Sequence, residues 1–195
     1  MELLRTPRLQ LRRWRAEDLV AFSAIYSRDE VMRWLGPHPR RALATVAEAE
    51  ARLQHWHRRE AALVPPLGLW ALVPRDGTGD QIADRPSSRA GDEPVGTILL
   101  MPLLEDGRAT TEVEIGWHLH PDHQGRGLAT EGARAVLERA AEAGTGDVLA
   151  LTDLDNAESQ AVATRLGMSD EGTTSRWFGL TTRQYRWRPP GRVSG

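Results

Sequence analysis

Apolar residues in this chain follow two periods, and the switches between them mark its elements. Residues 6–14 (TPRLQLRRW) alternate, with Leu9 and Leu11 on one face, and predict a strand near a sheet edge. A helix is expected to begin near Ala16-Glu17-Asp18, where acids suit a first turn, with Leu19, Phe22, Ile25 and Tyr26 on its buried stripe. Trp34-Leu35-Gly36-Pro37-His38-Pro39 breaks it. Thr45-Val46-Ala47-Glu48 has capping-box spacing and opens a second helix to about Ala62, with Leu53 and Trp56 among its apolar positions.

Residues 67–73 (LGLWALV) and 94–104 (PVGTILLMPLL) predict two strands. The polar, Gly-, Asp- and Ser-rich run 75–93 between them is expected to be a mobile insert rather than a domain linker. Residues 111–119 (TEVEIGWHL) alternate cleanly: Val113, Ile115, Trp117 and Leu119 on a packing face, Glu112, Glu114 and His118 on the other. A strand ending at Pro121 then meets a helix over Ala129 to Ala143, with Ala133, Val136, Leu137 and Ala140 inward. A buried strand at 147–152, a helix from Ala157 to Leu166 closed by Gly167, and a hairpin over 168–176 and 182–188 complete the order. That order implies one α+β domain spanning 1–195, a mixed sheet with helices on both faces.

The 195 residues, 40% of them hydrophobic, suffice for one sizeable core and leave little for a second domain. A net charge of −2 gives no support for nucleic-acid binding, and no apolar run reaches the ~18 residues of a membrane span. The opening MELLRTPRLQLRRW lacks a secretory plan, and the chain has no cysteine, so a cytoplasmic protein without disulfides or thiolate chemistry is expected. All 25 basic residues are Arg, which excludes a Schiff-base or P-loop lysine. Asn156 is the only Asn, so its retention stands out.

Between the strand at 111–119 and the next helix lies His123-Gln124-Gly125-Arg126-Gly127-Leu128-Ala129-Thr130-Glu131. Two glycines let the backbone take positive φ and approach a ligand, and the helix start beyond them presents unpaired N–H groups and the positive end of its dipole. An anion is the expected ligand; plain turn chemistry is the alternative. A dinucleotide fingerprint would place Gly or Ala where Thr130 stands and would lie early in a βαβ unit. His118, His120 and His123 lack an acidic partner at helical spacing, and no metal site is expected.

The strand EIGWHLHP, the loop HQGRGLATEGA and the later DNAESQAVATRLGM together resemble the acyl-CoA-binding core of the GNAT N-acetyltransferase superfamily, with the nearest likeness to its RimJ/RimL-type branch. The opening LRTPRLQLRRWRAEDLVAF and the strand WALV extend the likeness over most of the chain outside 75–93. The resemblance implies the GNAT acyl-CoA N-acyltransferase fold, a mostly antiparallel twisted sheet with helices on both faces. It implies acetyl-CoA as co-substrate, its pyrophosphate held by the amides of Gln124, Gly125, Arg126, Gly127, Leu128 and Ala129, with Arg126 and Thr130 beside it. Trp117, His118 and Leu119 would pair with the pantetheine arm, next to a bulge that splays two parallel strands, and Asn156 would meet the same arm. The oxyanion would be met by a backbone N–H near Leu119.

Glu114 is the expected base and Glu112 the second choice, either of them also readable as a carboxylate paired with arginine. Many superfamily members carry a Tyr seven residues after the Asn; here that position is Ala163, and Ser159 is the expected proton donor or a CoA contact. Trp14, Trp56, Trp70 and Trp117 are expected in the core, whereas Trp34 and Trp177-Phe178 fall where this fold builds its acceptor cleft. The expected reaction is acetyl transfer to a primary amine, a protein N-terminus or a small amine. The alternatives are an antibiotic or polyamine acetyltransferase on the same fold and a non-catalytic acyl-CoA-binding module. A homodimer through the terminal hairpin is a further expectation.

Overall fold

Leu9 and Leu11 are fully buried, and the strand they define (β2, Leu9–Arg13) pairs with a short strand before it (β1, Leu4–Arg5). The structure is a computed structural model that describes residues 3–75, 92–105 and 107–191, so the expected insert at 75–93 lies almost wholly outside the described residues. A buried bidentate pair, Arg12 Nη1 and Nη2 to Asp18 at 2.7 and 2.9 Å, draws Asp18 inward. The first turn expected as α-helix is accordingly a 3-10 turn at Ala16–Asp18, and α1 runs Leu19–Tyr26. The helix expected to run on to the break at Trp34 is divided: α1 ends at Tyr26 and a short helix, α2 (Asp29–Met32), follows before that break.

Thr45 caps α3 (Val46–Ala61), its hydroxyl accepting from the Glu48 N–H at 3.2 Å. Next come β3 (Gly68–Pro74), β4 (Gly96–Glu105) and β5 (Arg108–Leu119). The uninterrupted apolar run of β3 follows from cover on both faces: Trp70 and Leu72 belong to the larger core, Ala71 to the smaller one beneath α1 and α3. β5 ends two residues short of Pro121, which instead starts a 3-10 turn (Pro121–His123). The larger core is completed by α4 (Leu128–Glu142), β6 (Val148–Thr152) and α5 (Ala157–Arg165); β7 (Ser169–Thr174) and β8 (Thr182–Trp187) form the expected hairpin.

The eight strands form one sheet in the order β1-β2-β3-β4-β5-β6-β8-β7, antiparallel except at β5–β6. That parallel ladder holds only at Val113↔Val148 and Glu114↔Leu149 and then ends, so β5 and β6 diverge beyond Glu114. The expected bulge does not appear in the β4–β5 ladder beside the splay, which keeps its register from Pro102↔Val113 to Gly96↔Leu119; its irregularity lies farther out, between Pro102 and Leu104. Gly96 allows this close pairing: a Cβ there would sit 2.4 Å from the His118 carbonyl oxygen. No helix among the described residues is long and apolar enough to cross a membrane.

Candidate active site

Two cavities enter the gap between β5 and β6 from opposite faces of the sheet. One, of about 590 Å³, lies against the glycine loop and the starts of α4 and α5; the other, of about 850 Å³, opens beneath α3. They share Trp34, Leu35, Trp117, His118, Asn156 and Ser159. A ligand filling each cavity would meet the other at this junction.

Backbone polarity in the gap follows from the ladder. The N–H of His120 donates to the Val95 carbonyl at 2.9 Å, so by strand alternation the N–H groups of Trp117 and Leu119 point the other way, where β6 no longer pairs. Gln124 Nε2 donates to the Leu119 carbonyl at 3.2 Å and satisfies the acceptor at that edge. The donors are left facing the gap.

In the glycine loop, Gly125 and Gly127 have φ of 72° and 76°, a region favoured only by residues without a Cβ. The amides of Gly125, Gly127 and Leu128 have no acceptor among the described residues, and the Thr130 hydroxyl oxygen is buried without a partner. Unpaired donors at the start of a 15-residue helix suit a phosphate, and these residues fit the pyrophosphate of acetyl-CoA. The loop is held from a distance: Arg8 donates to Glu131 Oε2 at 2.6 Å and to the Arg126 carbonyl at 2.9 Å, and the Arg8 N–H donates to Glu131 Oε1 at 2.9 Å. Glu131 also accepts from Thr6. Arg8 thus neutralises the one carboxylate in the first turn of α4, which would otherwise repel an anion.

At the junction, Asn156 caps α5, its Oδ1 accepting from the Ser159 N–H at 3.1 Å, and its amide nitrogen has no acceptor among the described residues. The Trp117 indole donates to Ser159 Oγ at 3.0 Å, bridging the splayed elements. An indole N–H only donates, so Ser159 keeps its own O–H for another acceptor. Ala163 is fully buried in the larger core, away from either cavity.

Glu114 lines the α3-side cavity with no hydrogen bond to the described residues, and burial pushes its carboxyl up to about 7 against the opposing charge of Arg59. Burial lowers His118 to about 4, aided by the charge of Arg52, so its imidazole is neutral. Its Nδ1 lies 3.1 Å from Tyr26 Oη, which lies 2.7 Å from Thr97 Oγ1, which in turn accepts from the Trp14 indole at 3.2 Å. Thr97 is fully buried and has Tyr26 as the one acceptor for its proton among the described residues; with that proton satisfied, Tyr26 donates to His118 Nδ1 and the His118 proton sits on Nε2. Neither Tyr26 nor Thr97 stood out in the sequence, since a strand and a helix 71 residues apart bring them together.

Three expected site residues lie elsewhere. Trp177 is 1% exposed, packed with Leu103 and Leu149 and donating to Gln184 Oε1 at 3.2 Å. Phe178 lines the cavity in its place, because a left-handed turn at that residue, φ 58°, directs the two aromatic rings apart. Glu112 shares the Glu114 face but sits farther from the splay and faces Arg186 at 4.0 Å, outside both cavities. Arg126 contributes its carbonyl to the Arg8 contact, and its side chain does not line the cavity against the glycine loop. Trp56, expected in the core, is half-buried and lines the α3-side cavity with Arg52, His55 and Arg59. Their 52/55/59 spacing was open to reading as one helix face, yet the face alone did not say what it covers.

A splayed parallel pair between two cavities, with a glycine loop at one and an arginine-bearing helix face at the other, is an arrangement with relatives. The family model described as acetyltransferase (GNAT) domain matches residues 8–169. The fold is also that of an acetyltransferase of the GNAT family from Bacillus anthracis (TM-score 0.71, 18% identity, covering 96% of this chain and 99% of that one). It is shared by the ribosomal α-N-protein acetyltransferase RimL in complex with coenzyme A (TM-score 0.70, 15% identity, 96% and 98% covered). Mycobacterium smegmatis RimJ in complex with a CoA-disulfide gives a TM-score of 0.68 at 16% identity, with 92% and 81% covered. With 162 of its 195 residues inside the matched region, the chain belongs to the GNAT family and is an acetyl-CoA-dependent N-acetyltransferase.

Proposed function

We propose that the chain acetylates a primary amine, a peptide N-terminus or a small amine, by direct attack at the junction of the two cavities. The observation that carries this reading is the set of shared residues, Trp117, His118, Asn156 and Ser159, where donor and acceptor would meet. RimJ/RimL-type likeness at the level of sequence motifs agrees with an N-terminal or small α-amine.

Acetyl-CoA supplies a thioester carbonyl as electrophile and a thiolate as leaving group. The loop amides and Thr130 hold its pyrophosphate, and the N–H groups of Trp117 and Leu119 stabilise negative charge developing in the gap. Ser159, whose oxygen is engaged by Trp117, presents its O–H to the departing sulfur. Glu114 takes the amine proton through water, since three residues of strand separate it from Trp117 by about 10 Å. A carboxyl pushed up to about 7 is a matched acceptor for an α-amine with pKa near 7.8, whose neutral form costs roughly 1 kcal/mol at pH 7. A lysine amine would cost about 4.6 kcal/mol.

Thiol release from acetyl-CoA, measured with N-terminal peptides, small amines, polyamines and aminoglycosides in wild type and Glu114→Gln, tests the reading. Turnover of an α-amine that collapses in the variant supports it. Tight CoA binding with no turnover on any acceptor would identify a binding module instead.

A further inference from the structure

We propose that the acceptor carries a carboxylate close to its amine and that Arg52 and Arg59 of α3 bind it. The inference rests on the reading of the α3-side cavity as the acceptor entrance and adds the chemical class that enters.

Arg52, Trp56 and Arg59 lie on one helix face and all line that cavity. Trp56 fixes the rotation of this face, its ring packing edge-on at 5.1 Å from Phe22 and 5.3 Å from Tyr26. The two other arginines of the cavity are engaged: Arg40 is buried against Asp153, and Arg41 forms a bidentate pair with Glu48 at 2.9 and 3.0 Å. Arg52 and Arg59 have no ion pair among the described residues; Arg52 reaches only the Met32 sulfur at 4.0 Å. Of the acids that line the cavity, Asp153 is taken by Arg40, which leaves Glu114.

Two guanidinium groups that form no ion pair among the described residues, Arg52 sharing the field of Glu48 with Arg41, therefore line the cavity where an amine must lose its proton. Arg52 acts on His118 at the junction and Arg59 on Glu114 farther along β5, so their charges line the path from the junction to the carboxylate. Seven residues of helix separate them by about 10 Å, room for one anion bound between two forks. Their field opposes entry of a polycation and lowers the pKa of an ammonium group, favouring the nucleophilic form. A carboxylate fits better than a phosphate dianion because the anion must lie near Glu114, and a single charge limits that repulsion.

The test compares matched acceptors in wild type, Arg52→Gln, Arg59→Gln and the double variant: amino acids against their amides, and peptides with Asp or Glu against Asn or Gln at the second residue. CoA binding by each variant serves as the check on folding. In wild type the carboxylate member of at least one pair type is expected to exceed its amide by about tenfold or more in kcat/KM, through KM, and the ratio should fall toward one in the double variant. The pair type that shows the effect separates a free amino acid from an acidic N-terminus. A wild-type ratio near one in both pair types, or a ratio untouched by the double variant, overturns the inference while leaving acetyl transfer intact. Absence of turnover with every amine overturns the transfer reading and this inference with it.

Discussion

Glu114 is held where its burial is costly for folding and, in the proposed mechanism, useful for proton transfer. Its folded pKa of about 7 exceeds the unfolded value near 4.3, so between these values the folded chain retains a proton that the unfolded chain has lost. Stability therefore falls as pH rises through that window, and the penalty is complete above pH 7. Glu114→Gln should raise stability at pH 8 by about 2 kcal/mol, after allowance for solvent reaching a half-buried carboxyl, with no gain at pH 4. Urea unfolding at the two pH values measures this. The same variant should lose about 10²- to 10³-fold in kcat, together with the limb of the pH–rate profile near 7. A profile that keeps this limb would assign the titration to the amine or to another group. His118 carries the opposite sign. Its pKa, lowered to about 4, makes folding lose stability as pH falls from about 6.5 toward 4. Tyr26→Phe strands the Thr97 proton and His118 Nδ1 together and should cost about 1–3 kcal/mol in the same unfolding assay.

At the scale of elements, the parts of the site that were legible in the sequence are local. The glycine loop announces itself because positive φ and a helix start need adjacent residues, and Asn156 because it is the chain's only Asn and lies in the short segment that carries the family resemblance. Alternation on β5 put Glu114 on the chemical face, but it could not separate Glu114 from Glu112. That distinction depends on where β6 stops pairing, a property of a strand more than 30 residues later. Trp177 and Phe178 were indistinguishable for a similar reason, since one left-handed residue decides which ring reaches the cavity. The contact between Arg8 and Glu131 spans 123 residues and left no periodic trace. It nevertheless sets the electrostatics of the loop. Arg8→Ala would free the loop and expose an uncompensated carboxylate beside the anion site, so CoA should bind about tenfold more weakly. Replacing Glu131 by Gln as well should restore part of that loss, as read by CoA titration. A double variant weaker than Arg8→Ala would mean that Glu131 orders the loop more than it repels.

Across the whole molecule, the sheet separates the two cavities, which the proposed function assigns to donor and acceptor. The core beneath α4 and α5 carries the donor cavity, the aromatic cluster of Trp14, Phe22, Tyr26 and Trp56 carries the acceptor cavity, and they communicate only where β5 and β6 part. This division predicts separable energetics. A ligand that binds the folded state alone stabilises it by RT ln(1 + [L]/Kd), about 2.7 kcal/mol at a hundredfold excess over Kd. For a chain of this size that corresponds to a rise in Tm of roughly 5–11 °C. At the same CoA concentration, a tenfold weaker Arg8→Ala should retain about 1.4 kcal/mol, or roughly 3–6 °C. Arg52→Gln and Arg59→Gln should show the full wild-type shift, because neither residue lines the donor cavity. Both sets of variants are measured against their own ligand-free Tm, which removes their intrinsic stability from the comparison. Equal loss of the CoA shift in the loop and in α3 would show that the two cavities fold as one binding unit, and the division of labour across the sheet would fail.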